Sequence, residues 1–189
     1  MADAALKIVE PDEFFQWCLT QEDRYELVDG VPVMMTGASS MHDTIVVNVI
    51  AMLHFQLRGS RCRPTTADTA LKTKPRSRRR PDVMVTCDPP RNDVYEALEP
   101  RMAVEVLSPS NTGADWERKL EEYRQHTPLD YILLVQSKYV ESRLFVRSAT
   151  GWDERAFNAL DDVIDFPEIA CTLRLADVYA RTGLLPLQN

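Results

Sequence analysis

Apolar positions along this chain follow two rhythms, and the switches between them outline its elements. Near the start, Pro11 and Asp12 precede Phe14, Phe15, Trp17 and Cys18, the layout of a short amphipathic helix with proline in its first turn. Two short runs, 24–28 and 31–35, flank Asp29-Gly30. Glycine supplies the positive φ that a tight turn needs, so this segment predicts a β-hairpin. Ile45, Val46, Val49, Ile50, Leu53 and Leu57 then recur at helical spacing, with Ser39 and Ser40 available as caps and Gly59 as a stop. The β-branched content of this helix lowers its propensity, so packing must hold it.

Beyond Gly59 the rhythm becomes that of strands. Extended segments at 61–65 and 68–72 lead through an irregular basic stretch, 72–80, to three apolar runs at 83–86, 102–107 and 131–135. A helical segment near 115–125 separates the last two, which predicts strand, helix, strand with a right-handed crossover. Two alternating segments, 140–147 and 152–158, extend the sheet toward a half-exposed edge, and a closing helix at 175–182 ends at Gly183. No internal repeat or low-complexity block interrupts the pattern. The chain reads as one α/β domain over residues 1–189, a sheet with helices packed on it.

Three polar residues break these apolar patterns. Glu105 lies between Val104 and Val106, so alternation turns it to the opposite face of its strand. A buried carboxylate needs a metal, a cation or hydrogen-bond donors, although a structural ion pair or a wet sheet edge would equally account for it. Asp82 follows Pro81, a residue that marks strand starts, and so stands at the mouth of the 83–86 strand. Adjacent strands lie about 4.8 Å apart, so two acids on one face could share a divalent cation; a turn-capping role is the alternative for Asp82. Lys119 shares a helix face with Trp116, Leu120 and Tyr123, from which it could reach Glu105 or snorkel to solvent.

Composition narrows the chemistry. The chain has 189 residues, 44% of them hydrophobic, enough for a core, and no apolar run approaches the roughly 18–20 residues of a membrane span. With no signal-peptide layout at residues 1–9, a cytoplasmic location is expected. Cys18, Cys62, Cys87 and Cys171 show no paired spacing and are expected as reduced thiols. The net charge of -7 excludes a generic nucleic-acid coat and confines any phosphate contact to a local patch. Lys74, Arg76, Arg78, Arg79 and Arg80, just before Asp82, form the candidate patch, and a merely solvated loop is its other reading.

Taken together, 24–30 (Arg-Tyr-Glu-Leu-Val-Asp-Gly), His42, 80–85 (Arg-Pro-Asp-Val-Met-Val), 104–110 (Val-Glu-Val-Leu-Ser-Pro-Ser), Asp115, Lys119 and Tyr123 resemble the Uma2 (Uma-two) family. That bacterial family of restriction-endonuclease-like proteins lies within the PD-(D/E)XK nuclease superfamily. The matches run in order from about residue 12 to 182, and 104–110 is the most specific of them. The resemblance implies a restriction-endonuclease-like mixed central β-sheet flanked by α-helices. It also implies a metal-dependent endonuclease acting on DNA, with Asp82, Glu105 and the Val106 carbonyl as ligands for Mg2+ or Mn2+. The superfamily's usual lysine, two places after the second acid, is replaced by Leu107, and Lys119 matches the relocated lysine of this family. Glu26 matches the upstream acid and joins Asp82, Glu105 and Lys119 as a catalytic candidate; His42 matches a recurring histidine whose role capping or packing would equally explain. A homodimer is implied as well. The family's glycine-valine turn and Tyr-Trp pair are absent from 126–132, which affects substrate contacts or a dimer surface more than a metal site. The alternative to an endonuclease is a nuclease-fold binding or interaction module without useful turnover.

Overall fold

The computed structural model describes residues 8–108, 113–125 and 128–187. Pro109, Ser110 and His126, and the side chain of Asp115, lie outside the described residues. The elements run α1 (Pro11–Cys18), β1 (Tyr25–Val28), β2 (Val31–Met34), α2 (Ser40–Gln56), β3 (Arg63–Thr66), β4 (Leu71–Lys74), β5 (Ser77–Arg79), β6 (Val83–Thr86) and β7 (Pro100–Leu107). They continue with α3 (Gly113–Arg124), β8 (Tyr131–Gln136), β9 (Ser142–Ser148), β10 (Gly151–Phe157), β11 (Val163–Phe166), β12 (Cys171–Arg174) and α4 (Leu175–Val178).

Six strands form the central sheet in the order β10-β9-β8-β7-β6-β3. Its neighbours are antiparallel except β7 and β8, which are parallel and need the long connection that α3 supplies. Strand alternation splits the core between the two faces. Val83, Val85, Val104 and Val106 pack with Ile45, Val49 and Leu53 of α2. Met84, Ala103 and Leu134 pack with Leu120 and Tyr123 of α3. Each fully buried side chain of this size stabilises the fold by roughly 1.5–3 kcal/mol, which holds α2 in place despite its β-branched run. Glu105, out of phase with its valine neighbours, belongs to the α3 face.

A second sheet, β2-β1-β5-β4, stands beside the first. Its β1–β2 hairpin turns through Asp29 (φ 49°) and Gly30 (φ 86°), the positive angles expected of this dipeptide. Several expectations are corrected here. The basic stretch 72–80 is the β4–β5 hairpin rather than an irregular loop. The closing helix is shorter, with α4 ending at Val178, and the β11–β12 hairpin precedes it. Cys62 and Cys87 are not separate thiols. They follow directly from the Arg63–Thr86 pair of the β3–β6 register and are joined as a disulfide, while Cys18 and Cys171 are free.

Candidate active site

The β6–β7 register pairs Val83 with Val104, which brings Asp82, just ahead of β6, close to Glu105 near the end of β7. Asp82 is fixed through Oδ2, which accepts from the Val106 N–H at 2.8 Å and lies 3.2 Å from His42 Nε2. Glu105 is held through Oε1, the acceptor for Lys119 Nζ at 2.8 Å and for the Tyr123 hydroxyl at 2.5 Å. Glu26, on β1, brings the second sheet into the cluster. Its Oε1 accepts from Lys119 Nζ at 3.1 Å and from the Arg80 N–H at 2.8 Å, and its Oε2 from Arg79 Nη1 at 3.0 Å. Lys119 therefore bridges two carboxylates. Glu26, His42, Asp82, Glu105, Val106 and Lys119 all line one cleft of about 230 Å³.

The donors are distributed unevenly over the oxygens. Among the described residues, those of Asp82 fall on Oδ2 and those of Glu105 on Oε1, and Asp82 Oδ1 and Glu105 Oε2 receive none. The two side chains keep 19% and 9% of their surface exposed. Each acid is thus tethered by one oxygen and presents the other.

Charge is also unbalanced. Burial pushes the Glu105 carboxyl up to about 7 against the pull of Lys119, and the charges of Asp82 and Glu26 push it the same way. Burial acts upward on Glu26 too, but Lys119, Arg79 and the Arg80 N–H outweigh it and hold this carboxyl below its usual range. Burial disfavours the His42 imidazolium, yet the hydrogen bond and charge of Asp82, with Glu105 and Asp43 behind them, raise its pKa. Lys119 is likewise raised, since Glu105 and Glu26 overcome its burial.

The basic run is built differently from the patch expected of it. Arg79 forks onto Glu122 of α3 through Nε (2.7 Å) and Nη2 (2.9 Å) while holding Glu26. Arg80 donates to the carbonyls of Tyr25, Ala67 and Asp68. Arg78 pairs with Glu96 and donates to the carbonyls of Lys74, Pro75 and Ser77. Arg78, Arg79 and Arg80 are buried, so the picture of a solvated basic loop ahead of Asp82 is corrected: these three tie β5 to its surroundings. Lys74 and Arg76 remain partly exposed, at 32% and 41% of their side chains. The Tyr123 contact to Glu105 was not anticipated from sequence, although its spacing of four from Lys119 puts both on one helix face.

Among the described residues, no three His, Cys, Asp or Glu side chains converge as a ready-made metal cage. A magnesium ion does not require one, because it keeps several waters and binds through one or two carboxylates. Two presented oxygens beside an under-compensated Glu105 fit such an ion.

Known proteins resemble this chain in sequence and in fold. The model of a family described as "Putative restriction endonuclease", Uma2, matches residues 11–176. An uncharacterized protein of Synechocystis sp. is 32% identical over 145 residues, 76% of each chain. A second from the same organism is 28% identical over 144 residues, 74% of this chain and 81% of the relative. A crystal structure from Anabaena variabilis, described as a "putative nuclease belonging to DUF820", superposes with a TM-score of 0.75 over 92% of this chain and 99% of the other at 16% identity, a likeness of fold.

Proposed function

The chain belongs to the Uma2 family, and from that premise we propose that it is a divalent-metal-dependent endonuclease acting on DNA. The observation that carries this reading is the meeting of Asp82, Glu105, Lys119 and Glu26 in one cleft, with one presented oxygen on each of Asp82 and Glu105. Asp82 and Glu105, with the Val106 carbonyl, would hold Mg2+ or Mn2+. The ion, when bound, supplies a lowered water pKa and screening of phosphate charge. Lys119 is held by two carboxylates within reach of the same space, where its ammonium can orient a water or a phosphate oxygen. Glu26 fixes the position of that ammonium. Phosphate contact falls to Arg76, whose partner Glu10 is itself exposed, and to Lys74, which is shared between the exposed Asp29 and the buried Glu122. No helix of the described residues is long and apolar enough to cross a membrane; a cytoplasmic homodimer, folded as one domain, completes the proposal.

The test is cleavage of supercoiled plasmid or single-stranded circular DNA with magnesium or manganese. Wild type should cut, and Asp82→Ala and Glu105→Ala should each lose at least about 100-fold in rate. Equal background from all three proteins would remove the catalytic claim. A second reading, a nuclease-fold binding module, is favoured by the lack of a third acidic ligand among the described residues. It expects salt-sensitive nucleic-acid binding that survives Asp82→Ala, without turnover.

A further inference from the structure

A second hollow, of about 370 Å³, opens beside the acid cleft, and Glu26, Glu105 and Lys119 line both. Its walls include Val28, Val33, Leu107 and Trp116, with Arg79, Arg118 and Lys119 supplying the positive charge. Trp116 is half-buried, and its ring is backed by the Arg143 guanidinium at 5.8 Å from the ring centre. Arg118, 51% exposed, keeps the buried Glu122 at 3.6 Å through Nε and pairs through Nη2 with Asp29, itself 52% exposed, at 2.6 Å. Such a surface pair is worth little and can be exchanged for a phosphate.

Electrostatics disfavours a rigid duplex here. Duplex affinity grows with the number of phosphates neutralised, yet the chain carries 22 basic against 29 acidic residues, and Arg78, Arg79 and Arg80 are turned inward. A neighbouring hollow that shares His42 and Asp82 with the acid cleft is lined by Glu22, Asp23, Asp43 and Asp68, against Arg24 and His42 as its basic residues. A second strand lying there would meet acids. Single strands bind by another balance, in which a base stacks on an aromatic side chain and one or two cations hold the adjoining phosphate. The Trp116 hollow has those parts, next to the acids that would act on that phosphate.

We propose that this hollow takes an unpaired nucleobase beside the scissile phosphate, so that the substrate is single-stranded or locally unpaired nucleic acid rather than intact duplex. The inference rests on the nuclease reading above, but its test needs no turnover. Full-length Glu105→Gln protein, which by the nuclease reading does not cut and has no titrating carboxyl at this position, is titrated into a fluorescein-labelled oligothymidylate and into a blunt hairpin duplex of similar length. Anisotropy should show the single strand bound at least about tenfold more tightly. Trp116→Ala should weaken that binding by about tenfold, and Trp116→Phe should keep most of it. If Trp116→Ala melts early, Trp116→Leu, which keeps apolar bulk without an aromatic face, should show the same loss. Equal or tighter duplex binding overturns the proposal, as does a single-strand affinity indifferent to removal of the aromatic ring. Failure of plasmid cleavage alone would remove turnover and leave the base site standing.

Discussion

Glu105 and Glu122 are both buried carboxylates in contact with basic groups, one on β7 facing α3 and the other on α3 itself, and they are satisfied to very different degrees. Glu122 receives both arms of Arg79, the Thr73 hydroxyl at 2.9 Å and Lys74 at 3.4 Å. Burial alone would raise its pKa, but the Arg79 fork outweighs burial and holds it below the ordinary range. Glu105 shares a single ammonium with Glu26, adds a neutral phenol, and sits at about 7. Burial is common to both, so burial does not mark a site. A shortfall of positive charge does, and only Glu105 has it.

That contrast can be broken in several places. The largest effect should come from Arg79→Met, which strands Glu26 and Glu122 without their shared cation; a loss of about 3–5 kcal/mol is expected in urea denaturation. Added magnesium should act on the other carboxylate. At a concentration near a hundred times its dissociation constant, it should stabilise wild type by about 2.7 kcal/mol and leave the melting temperature of Glu105→Gln unmoved. The two Glu→Gln exchanges should then differ in sign in metal-free buffer. Glu122→Gln weakens a satisfied pair and should destabilise by about 1–3 kcal/mol, while Glu105→Gln should be neutral or stabilising near pH 8.

Acidity separates them most gently. Glu122 has a lowered pKa, so its contribution is present above about 4.5 and is lost as pH falls through its folded value. Glu105 has a raised one, so its contribution is present below about 4.5 and is lost as pH rises through about 7. Melting of the metal-free protein should therefore decline between about pH 5 and pH 8 through the Glu105 share, and Glu105→Gln should flatten that decline. An unchanged slope in the variant would show that Glu105 is compensated after all.

Much of this was visible in the one-dimensional pattern, for identifiable reasons. Asp82, Glu105 and Lys119 stand out because each interrupts an apolar period, and periodicity also places the side chains that flank them. The mixed central sheet follows from the same signal, since its strands are apolar runs. Arg79 was invisible as a structural residue because its partners lie 53 and 43 positions away, and a run of basic residues looks the same whether it faces water or a carboxylate. The β4–β5 hairpin had no apolar alternation to announce it. Joining Cys62 to Cys87 requires the β3–β6 register, which spacing alone does not contain. The β11–β12 hairpin does alternate buried with exposed positions, but over only four residues a strand.

The single parallel pair in the central sheet has a consequence for how the chain comes off the ribosome. β6 and β7 can meet as soon as both have emerged, with Asp82 already offered the Val106 N–H and His42 while Glu105 still lacks its partners. Lys119 and Tyr123 arrive later, on the connection that must swing across before β8 can dock. Glu105 is thus left without its cation until the crossover closes, and the helix that completes the cleft is also the latch that settles the nascent sheet.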